Sequence, residues 1–169
     1  MSAVAHVVLL TSLLLLVYAA LQQAADIQDY LAREAARAGA AEVAHYVSKS
    51  ITSLTVAASR SRSDSLELVK LLNLPPAILG HPYSIELVED NGSYIVRVEV
   101  WLQPPVTAIS EIPLANSSNI VVELGSGELQ TSTAVIRYGP KFAYGYNSLA
   151  AWLVKENSFV RIGLGVVKQ

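Results

Sequence analysis

The apolar positions are continuous at the start of the chain and alternate towards its end. Residues 3–25 contain no Asp, Glu, Lys or Arg, and residues 7–18 are almost wholly apolar. About 20 apolar residues suffice to span a bilayer as a helix. A cleaved signal peptide fits less well, because it has a basic start and an apolar stretch of roughly 7–15 residues. The segment therefore predicts a helix that lipid or protein must cover.

The helical pattern continues beyond this segment without a break. Residues 26–58 contain no Pro and a single Gly, Gly39. Apolar residues recur there every three or four positions, which is the helical period: Val43, Val47, Ile51, Leu54 and Ala58. A helix from about Ser2 to about Ala58 is roughly 85 Å long at 1.5 Å per residue. A monomer of 169 residues cannot bury so long a stripe by itself, so we expect neighbouring chains to cover part of it.

Small side chains are concentrated in the middle of the predicted helix, around Gly39. They are Ala32, Ala35, Ala36, Ala38, Ala40, Ala41 and Ala44. Small residues let helix backbones approach closely, as a bundle of identical helices requires. Alanine is also the best helix former, so close packing and simple helix propensity both explain the composition.

Residues 59–76 are predicted to form a polar break followed by a short helix. The Ser/Arg run Ser59–Ser65 indicates a solvated hinge, because two arginines are too few for a basic recognition tract. Asp64 and Glu67 have the spacing of a capping box. They predict a short helix over about Ser65–Asn73, which Pro75 and Pro76 would end.

From residue 83 the apolar period changes to two, which is typical of strands. The alternating runs 84–89 and 94–102 flank Asn91-Gly92, a strong hairpin signal. A second hairpin is predicted from runs 119–124 and 129–138, on either side of residues 125–128. Further strands are predicted at Lys141–Tyr146, Leu149–Lys155 and Phe159–Val167, although Leu149–Val154 also fits a helical turn.

About six or seven short strands predict a small antiparallel β-sandwich or barrel-like domain. The predicted fold class is therefore α+β: a long helix over residues 1–58, the break and short helix over 59–76, and a β-rich head over 77–169. Alternating strands can bury one another's apolar faces. We therefore expect the β-domain, about residues 74–169, to fold without the long helix.

Composition narrows the classes of function. Hydrophobic residues make up 52% of the chain and charged residues 15%, against the usual ~25%. The net charge of −2, from 12 basic and 14 acidic residues, provides no clustered basic face for a nucleic acid. The chain contains no Cys, which excludes disulfides, thiolate metal sites and Cys nucleophiles.

No motif in the sequence points to catalysis, and we expect neither a cofactor nor a metal. His6, His45 and His81 lie in three different contexts and lack metal-ligand spacing. The Gly-x-Gly of the last strand lacks the third glycine of a dinucleotide site, so its glycines indicate a bulge or a close backbone approach. Glu86 and Glu99 would face each other across the first hairpin as surface carboxylates. The protein is predicted not to be an enzyme.

The predicted head carries an aromatic cluster and two candidate glycosylation sites. The aromatic residues Tyr138, Phe142, Tyr144 and Tyr146 cluster in sequence near Gly139 and Gly145. They suit a core or subunit contact, or alternatively a patch that binds sugars or surfaces. Asn91-Gly92-Ser93 and Asn116-Ser117-Ser118 match the N-glycosylation acceptor and fall in predicted loops, so Asn91 and Asn116 are candidate glycosylation sites.

The charge-free helix, its long continuation and the β-rich head together resemble a type IV pilin, most closely the archaeal kind, whose relatives include the archaeal flagellins. The residues that carry the resemblance lie within Met1–Ala58. Family precursors carry a short basic leader, so either the numbering here starts at the mature residue or the leader is absent. Bacterial members have an acidic residue near the mature N-terminus, where this chain has His6, which favours the archaeal branch.

The resemblance implies a structural glycoprotein that inserts in the membrane, then polymerises into an extracellular helical filament of identical subunits for cell adhesion, aggregation or motility. The residues expected to pack in the filament core are Val7, Leu10, Leu14, Val17, Leu21, Ala35 and Gly39. The partners expected are further copies of the chain, the membrane before assembly, and surface glycans or host or abiotic surfaces. Two alternatives stay open: a monomeric membrane-anchored binding protein, and a minor pilin-like component of a secretion or DNA-uptake machine.

Overall fold

The computed structural model describes residues 3–114, 119–143 and 148–168. A single long helix, α1, spans Ala3–Arg60, and all the described strands follow it. The strands are β1 Ser65–Leu71, β2 Tyr83–Asp90, β3 Ser93–Val100, β4 Val106–Glu111, β5 Ile120–Val122, β6 Gly127–Gln130, β7 Val135–Tyr138, β8 Lys141–Ala143, β9 Leu149–Glu156 and β10 Phe159–Lys168. The α+β fold predicted from the sequence is confirmed.

The chain consists of two compact units, residues 1–35 and residues 36–169. The first contains the N-terminal part of α1. The second, called the head here, contains the rest of α1 and every described strand. The boundary therefore lies within the helix, and not at its end as the sequence suggested.

The described strands of the head form two sheets. In the larger one the order is β1-β9-β10-β7-β6, and the short β5 pairs with β10. In the smaller one the order is β4-β3-β2-β8. All pairings are antiparallel except that of β5 with β10. The ten described strands exceed the six or seven expected, because several are only three or four residues long.

One side of α1 completes the core of the head. The α1 residues in the main apolar cluster are Ala40, Val43, Ala44, Val47, Ile51, Leu54 and Ala58, which include the stripe predicted from the sequence. They share one apolar cluster with the inner faces of both sheets, represented by Val98 of the small sheet and Leu153 of the large one. The structure argues against the expectation that residues 74–169 fold without the helix, since that fragment would lack one wall of its core as well as β1.

The C-terminal end of α1 is held by a lysine from the large sheet. The Lys155 ammonium donates hydrogen bonds to the carbonyl oxygens of Ser61, at 2.9 Å, and Ala58, at 3.4 Å. A cation at this end satisfies carbonyls that have no partner within the helix and interacts favourably with the helix dipole. The contact fixes the end of α1 to β9.

The short helix predicted at Ser65–Asn73 is wrong, because these residues form edge strand β1. The apparent capping residues bind elsewhere: the Asp64 carbonyl accepts the Asn157 N–H at 2.6 Å, and the Glu67 carboxylate accepts hydrogen bonds from Ser132. β1 pairs with β9 over its whole length. Tertiary pairing therefore overrides the local helix signal.

The first predicted hairpin is confirmed and the second is wrong. β2 and β3 pair from Tyr83↔Val100 to Asp90↔Ser93, around the two-residue loop Asn91-Gly92. In the second case β5 pairs with β10, and the predicted strand 129–138 is split by a turn that joins β6 to β7. Thr131 closes that turn, since its hydroxyl donates to the Ala134 carbonyl at 2.8 Å.

Other strand predictions agree with the structure where it describes the residues. β8, β9 and β10 correspond to the three last predicted strands, although Tyr144 and Tyr146 lie outside the described residues. Residues 149–154 are strand and not a helical turn. The close approach expected at the glycines of β10 is confirmed, because a β carbon on Gly163 would come within 2.8 Å of the Trp152 ring.

Candidate assembly surface

The N-terminal unit exposes apolar side chains all round α1. Leu13, Leu14, Leu15 and Leu16 cover one full helical turn, and their exposed fractions are 57%, 61%, 68% and 70%. A helix that is hydrophobic on every side requires apolar surroundings on every side. This part of α1 therefore has to be covered by something other than its own unit.

The side-chain hydroxyl groups in residues 3–25 form hydrogen bonds within the helix. The Thr11 hydroxyl lies 3.0 Å from the carbonyl oxygens of both Val7 and Val8, and the Ser12 hydroxyl donates to Val8 O at 2.9 Å. Polar groups satisfied in this way add little cost in apolar surroundings, where an unpaired donor is expensive. The Tyr18 hydroxyl accepts a hydrogen bond from the Gln22 amide at 2.8 Å. The segment is thus suited to a dry environment despite its three hydroxyls.

By length and composition, α1 is long and apolar enough to cross a membrane. A membrane anchor, a signal sequence and a filament-core helix all satisfy this criterion. It shows that the helix needs apolar surroundings, but it does not distinguish these three roles.

The helix surface changes character after residue 25. Tyr30 and Leu31 follow Ile27 by three and four residues, which places the three on one side of the helix. Their exposed fractions are 63%, 58% and, for Ile27, 59%. Another side of the helix carries the ion pair of Asp29 and Arg33, whose charged atoms are 3.8 Å apart. These turns are two-sided, with an apolar stripe on one side and charges on another. Such a surface suits contact with protein better than immersion in hydrocarbon.

The residues expected in a filament core divide into two groups. Six are on the exposed surface of the N-terminal unit: Val7, Leu10, Leu14, Val17, Leu21 and Ala35. Gly39 is different, because a β carbon on it would lie 2.8 Å from Ile78 Cγ2 of its own chain. Its small size serves packing within the head, which corrects its assignment to contacts between subunits.

The alanine-rich stretch also divides between two environments. Ala36, Ala40 and Ala44 are buried within the head, which accounts for their small size without a second chain. The remainder stay exposed: Ala32, Ala35, Ala38 and Ala41. Only this second set is free to permit the close approach of another helix.

The surface of the head carries paired charges. Glu86 and Glu99 do not face each other: Glu86 pairs with Arg97 at 3.6 Å, and Glu99 with Lys141 at 3.4 Å. A hydrogen bond from Lys168 lowers the pKa of Glu128, and the attraction of the same ammonium acts in the same direction. These contacts are solvent-exposed ion pairs, which contribute little each.

A shallow depression of about 730 Å³ includes two of the four aromatic residues singled out in the sequence, Tyr138 and Phe142. Tyr138 also packs on Trp152, with ring centroids 5.3 Å apart. Tyr144 and Tyr146 lie outside the described residues. The aromatic cluster is therefore partly a packing contact within the head, which is one of the two interpretations of the sequence.

No group of three or more His, Cys, Asp or Glu side chains that could hold a metal occurs in the described part of the chain.

Of the two glycosylation candidates, Asn91 is exposed at the tip of the β2–β3 hairpin, where its amide donates to the Asp90 carboxylate at 3.0 Å. Asn116 lies outside the described residues.

Comparison of the chain with protein-family models, curated proteins and solved structures gave no match. The exposed surface of α1 and the α+β fold are therefore the features that bear on function.

Proposed function

We propose that the chain is the structural subunit of an extracellular filament of the archaeal type IV pilin kind. In this account α1 packs with copies of itself in the filament core, after passing through a membrane-inserted state. The β-rich head is displayed outside for adhesion, aggregation or motility. No catalytic step is assigned to it.

The observation that carries the proposal is the apolar stripe of Ile27, Tyr30 and Leu31. Residues 3–25 extend roughly 34 Å as a helix, which already matches the ~30 Å hydrocarbon thickness of a bilayer. A tether needs no exposed apolar stripe beyond that point. A packed bundle of identical helices does, because its neighbours continue alongside one another past the charge-free segment.

The alternative is a monomeric membrane-anchored binding protein, and the capacity of α1 to cross a membrane favours it equally. In that case Tyr30 would lie at the lipid–water interface, where aromatic residues are enriched. The two functions differ in what surrounds residues 6–31 after export: lipid and water for the tether, other copies of the chain for the filament.

Detergent removal tests the proposal. The full chain is purified in mild detergent, which is then removed with or without added phospholipid, and the products are examined by sedimentation and negative-stain electron microscopy. We expect filaments of uniform diameter without lipid. A chain that only enters vesicles as a monomer, or that forms disordered aggregates without lipid, would refute the proposal.

Leu14→Arg is the variant that tests assembly, and Ser158→Arg is its matched control. An arginine inside an apolar bundle lacks solvation and costs several kcal/mol in each subunit, so filaments should be lost. Ser158→Arg adds the same charge at an exposed turn of the head and should leave assembly unchanged. The β-sheet circular dichroism signal should be retained in both, which separates loss of assembly from loss of folding.

A further inference from the structure

The depression that contains Tyr138 and Phe142 lies where the two sheets of the head meet. Strands β6, β7 and β10 of the large sheet line it on one side, and β8 of the small sheet lines it on the other. Gly139 and Pro140 connect β7 to β8, so the chain crosses here from one sheet to the other. Its volume of about 730 Å³ falls within the ~300–1,000 Å³ that small-molecule sites occupy. The depression is therefore large enough for a small ligand.

Short distances join the lining residues into one surface. A β carbon on Gly139 would lie 3.5 Å from Ser126 Oγ and 3.7 Å from Phe142 Cζ, so these two side chains approach each other beside the glycine. A β carbon on Gly127 would lie 2.6 Å from the Tyr138 hydroxyl oxygen, so the tyrosine covers the start of β6. The hydroxyl of Ser126 and the two aromatic rings are thus parts of the same small area.

Charged side chains from three adjacent strands line the same depression. Arg137 of β7 lies opposite Glu128 of β6 and opposite Val166 of β10. Residues directly opposite each other share a face of the sheet. The Lys168 ammonium of β10 reaches across β7 and donates a hydrogen bond to the Glu128 carboxylate. Two cations and one carboxylate therefore share one side of the sheet.

Arg137 is the cation of this set whose donors are available to a ligand. Lys168 is bound to Glu128, and Lys141, which also lines the depression, is paired with Glu99. Arg137 is exposed, and it forms no ion pair or side-chain hydrogen bond with any residue that the structure describes. A guanidinium offers parallel N–H donors that match the two oxygens of a carboxylate. The depression therefore contains a group suited to bind a carboxylate.

The other side chains of the depression indicate what carries that carboxylate. Phe142 and Tyr138 are half-buried, and Tyr138 is held by ring contact with Trp152. Half-buried rings offer a flat apolar surface, which suits the C–H face of a sugar ring. The Glu128 carboxylate and the Ser126 hydroxyl are hydrogen-bonding partners for sugar hydroxyls. A nucleic acid fits less well, because it needs several unpaired cations and the Glu128 carboxylate would repel its phosphates.

We propose that this depression binds a carboxylated sugar, such as a uronic acid unit of an external glycan. Arg137 binds the sugar carboxylate, Phe142 stacks on the C–H face of the ring, and Glu128 accepts hydrogen bonds from the hydroxyls. The inference rests on the proposed function for the display of the head outside the cell. A shallow site binds one sugar unit weakly, and many identical subunits on a filament bind a polymeric glycan together with higher avidity.

Titration of the full chain in mild detergent tests the site without requiring filaments. The probe is trigalacturonic acid, and its methyl ester is the matched sugar without charge. We expect the acid to shift the Arg137 side-chain NMR signal and to bind about tenfold more tightly than the ester, which lacks the charge-assisted hydrogen bonds. Saturation transferred from the protein should be strongest at the sugar C–H protons, since these contact the Phe142 ring.

Arg137→Gln is the test variant, and Arg161→Gln is its matched control. Arg137→Gln should weaken the binding of trigalacturonic acid about tenfold and leave the binding of the ester unchanged. Arg161→Gln removes the same charge from the same sheet, at a residue that pairs with Glu156 at 3.9 Å, and should leave both affinities unchanged. Both arginines are on the surface, so the β-sheet circular dichroism signal should be retained in each variant.

The outcomes that overturn the inference are distinct from those that refute the filament. Equal affinity for the acid and the ester, or equal weakening by the two arginine variants, overturns it. Triglutamate that binds as tightly as trigalacturonic acid also overturns it, because the site would then accept any carboxylate. These results concern the detergent-solubilised chain and leave the filament standing. Failure of the chain to form filaments refutes the proposed function and leaves the sugar site standing.

Discussion

Gly39 lies so close to Ile78 that a β carbon on residue 39 would come within 2.8 Å of Ile78 Cγ2. The contact joins α1 to the turn between Ile78 and His81. The glycine therefore fixes the position of that turn on the helix, even though it weakens the helix itself.

Gly39→Ala should lower the free energy of unfolding of the head. Alanine favours the helix by about 1 kcal/mol, but overpacking a tight contact costs about 1–3 kcal/mol. We expect a net loss of about 1 kcal/mol in chemical denaturation. In the Ile78→Ala background, which removes the colliding methyl group, the same substitution should become stabilising. Stabilisation by Gly39→Ala in the unmodified background would contradict the packing described.

The second prediction concerns which fragments of the chain fold by themselves. A fragment of residues 36–169 retains the core stripe of α1 and β1, and it should be a soluble monomer with dispersed amide NMR signals. A fragment of residues 74–169 lacks both and should be unfolded or aggregated. A folded, monomeric 74–169 fragment would mean that the helix is dispensable to the core.

The third prediction concerns acid stability. Hydrogen bonds from the Ser132 backbone N–H and hydroxyl, both 2.8 Å, lower the pKa of Glu67. Because the folded pKa is below the unfolded one, the stabilisation is complete above about pH 4.3 and is lost as the pH falls through the folded value. Glu67→Gln should therefore destabilise the head at pH 7 more than at pH 3.

Ser132→Ala provides the control for this pH dependence. It removes the hydroxyl and keeps the backbone donor, which is the larger cause of the lowered pKa. More of the pH dependence should remain than in Glu67→Gln. Equal destabilisation of Glu67→Gln at both pH values, measured by thermal unfolding, would show that the carboxylate is not coupled to Ser132.

The fourth prediction concerns modification of the hairpin tip. Asn91 is exposed, and the adjacent Gly92 has open space around it. Secreted from a host with N-glycosylation, the chain should carry a glycan at Asn91 that peptide mass spectrometry detects. Ser93→Ala should abolish it and Ser93→Thr should retain it, because the acceptor requires Ser or Thr there. An unmodified Asn91 peptide would remove this site.

The elements that the sequence predicted correctly are those with a strong local cause. The unbroken helical period gave α1 to within two residues of its end at Arg60, and Asn91-Gly92 gave the β2–β3 hairpin, although Glu86 lies opposite Arg97 and not opposite Glu99 as expected. The elements it missed depend on distant partners. β1 is a strand because β9 lies beside it, and no local signal conveys that.

Gly125 and Gly127 led to the wrong position for the second hairpin turn, again because a distant residue decides the local structure. Gly127 was taken as part of a turn, but it is a strand residue over which Tyr138 packs, and a β carbon there would lie 2.6 Å from the tyrosine hydroxyl oxygen. The true turn was signalled by Thr131-Ser132-Thr133, whose hydroxyls commonly bond to nearby backbone. In the candidate surface, the exposed leucines were expected. The packing of Gly39 against Ile78 was not, because the position of Ile78 on α1 cannot be read from sequence.

Cryo-electron microscopy of the particles obtained after detergent removal, with and without added phospholipid, tests the central claim most directly. A helical reconstruction should show residues 6–21 of each chain enclosed by the same residues of neighbouring copies, with no lipid density between them. If those residues instead contact only detergent or lipid, the chain is a tethered monomer and the filament proposal is contradicted.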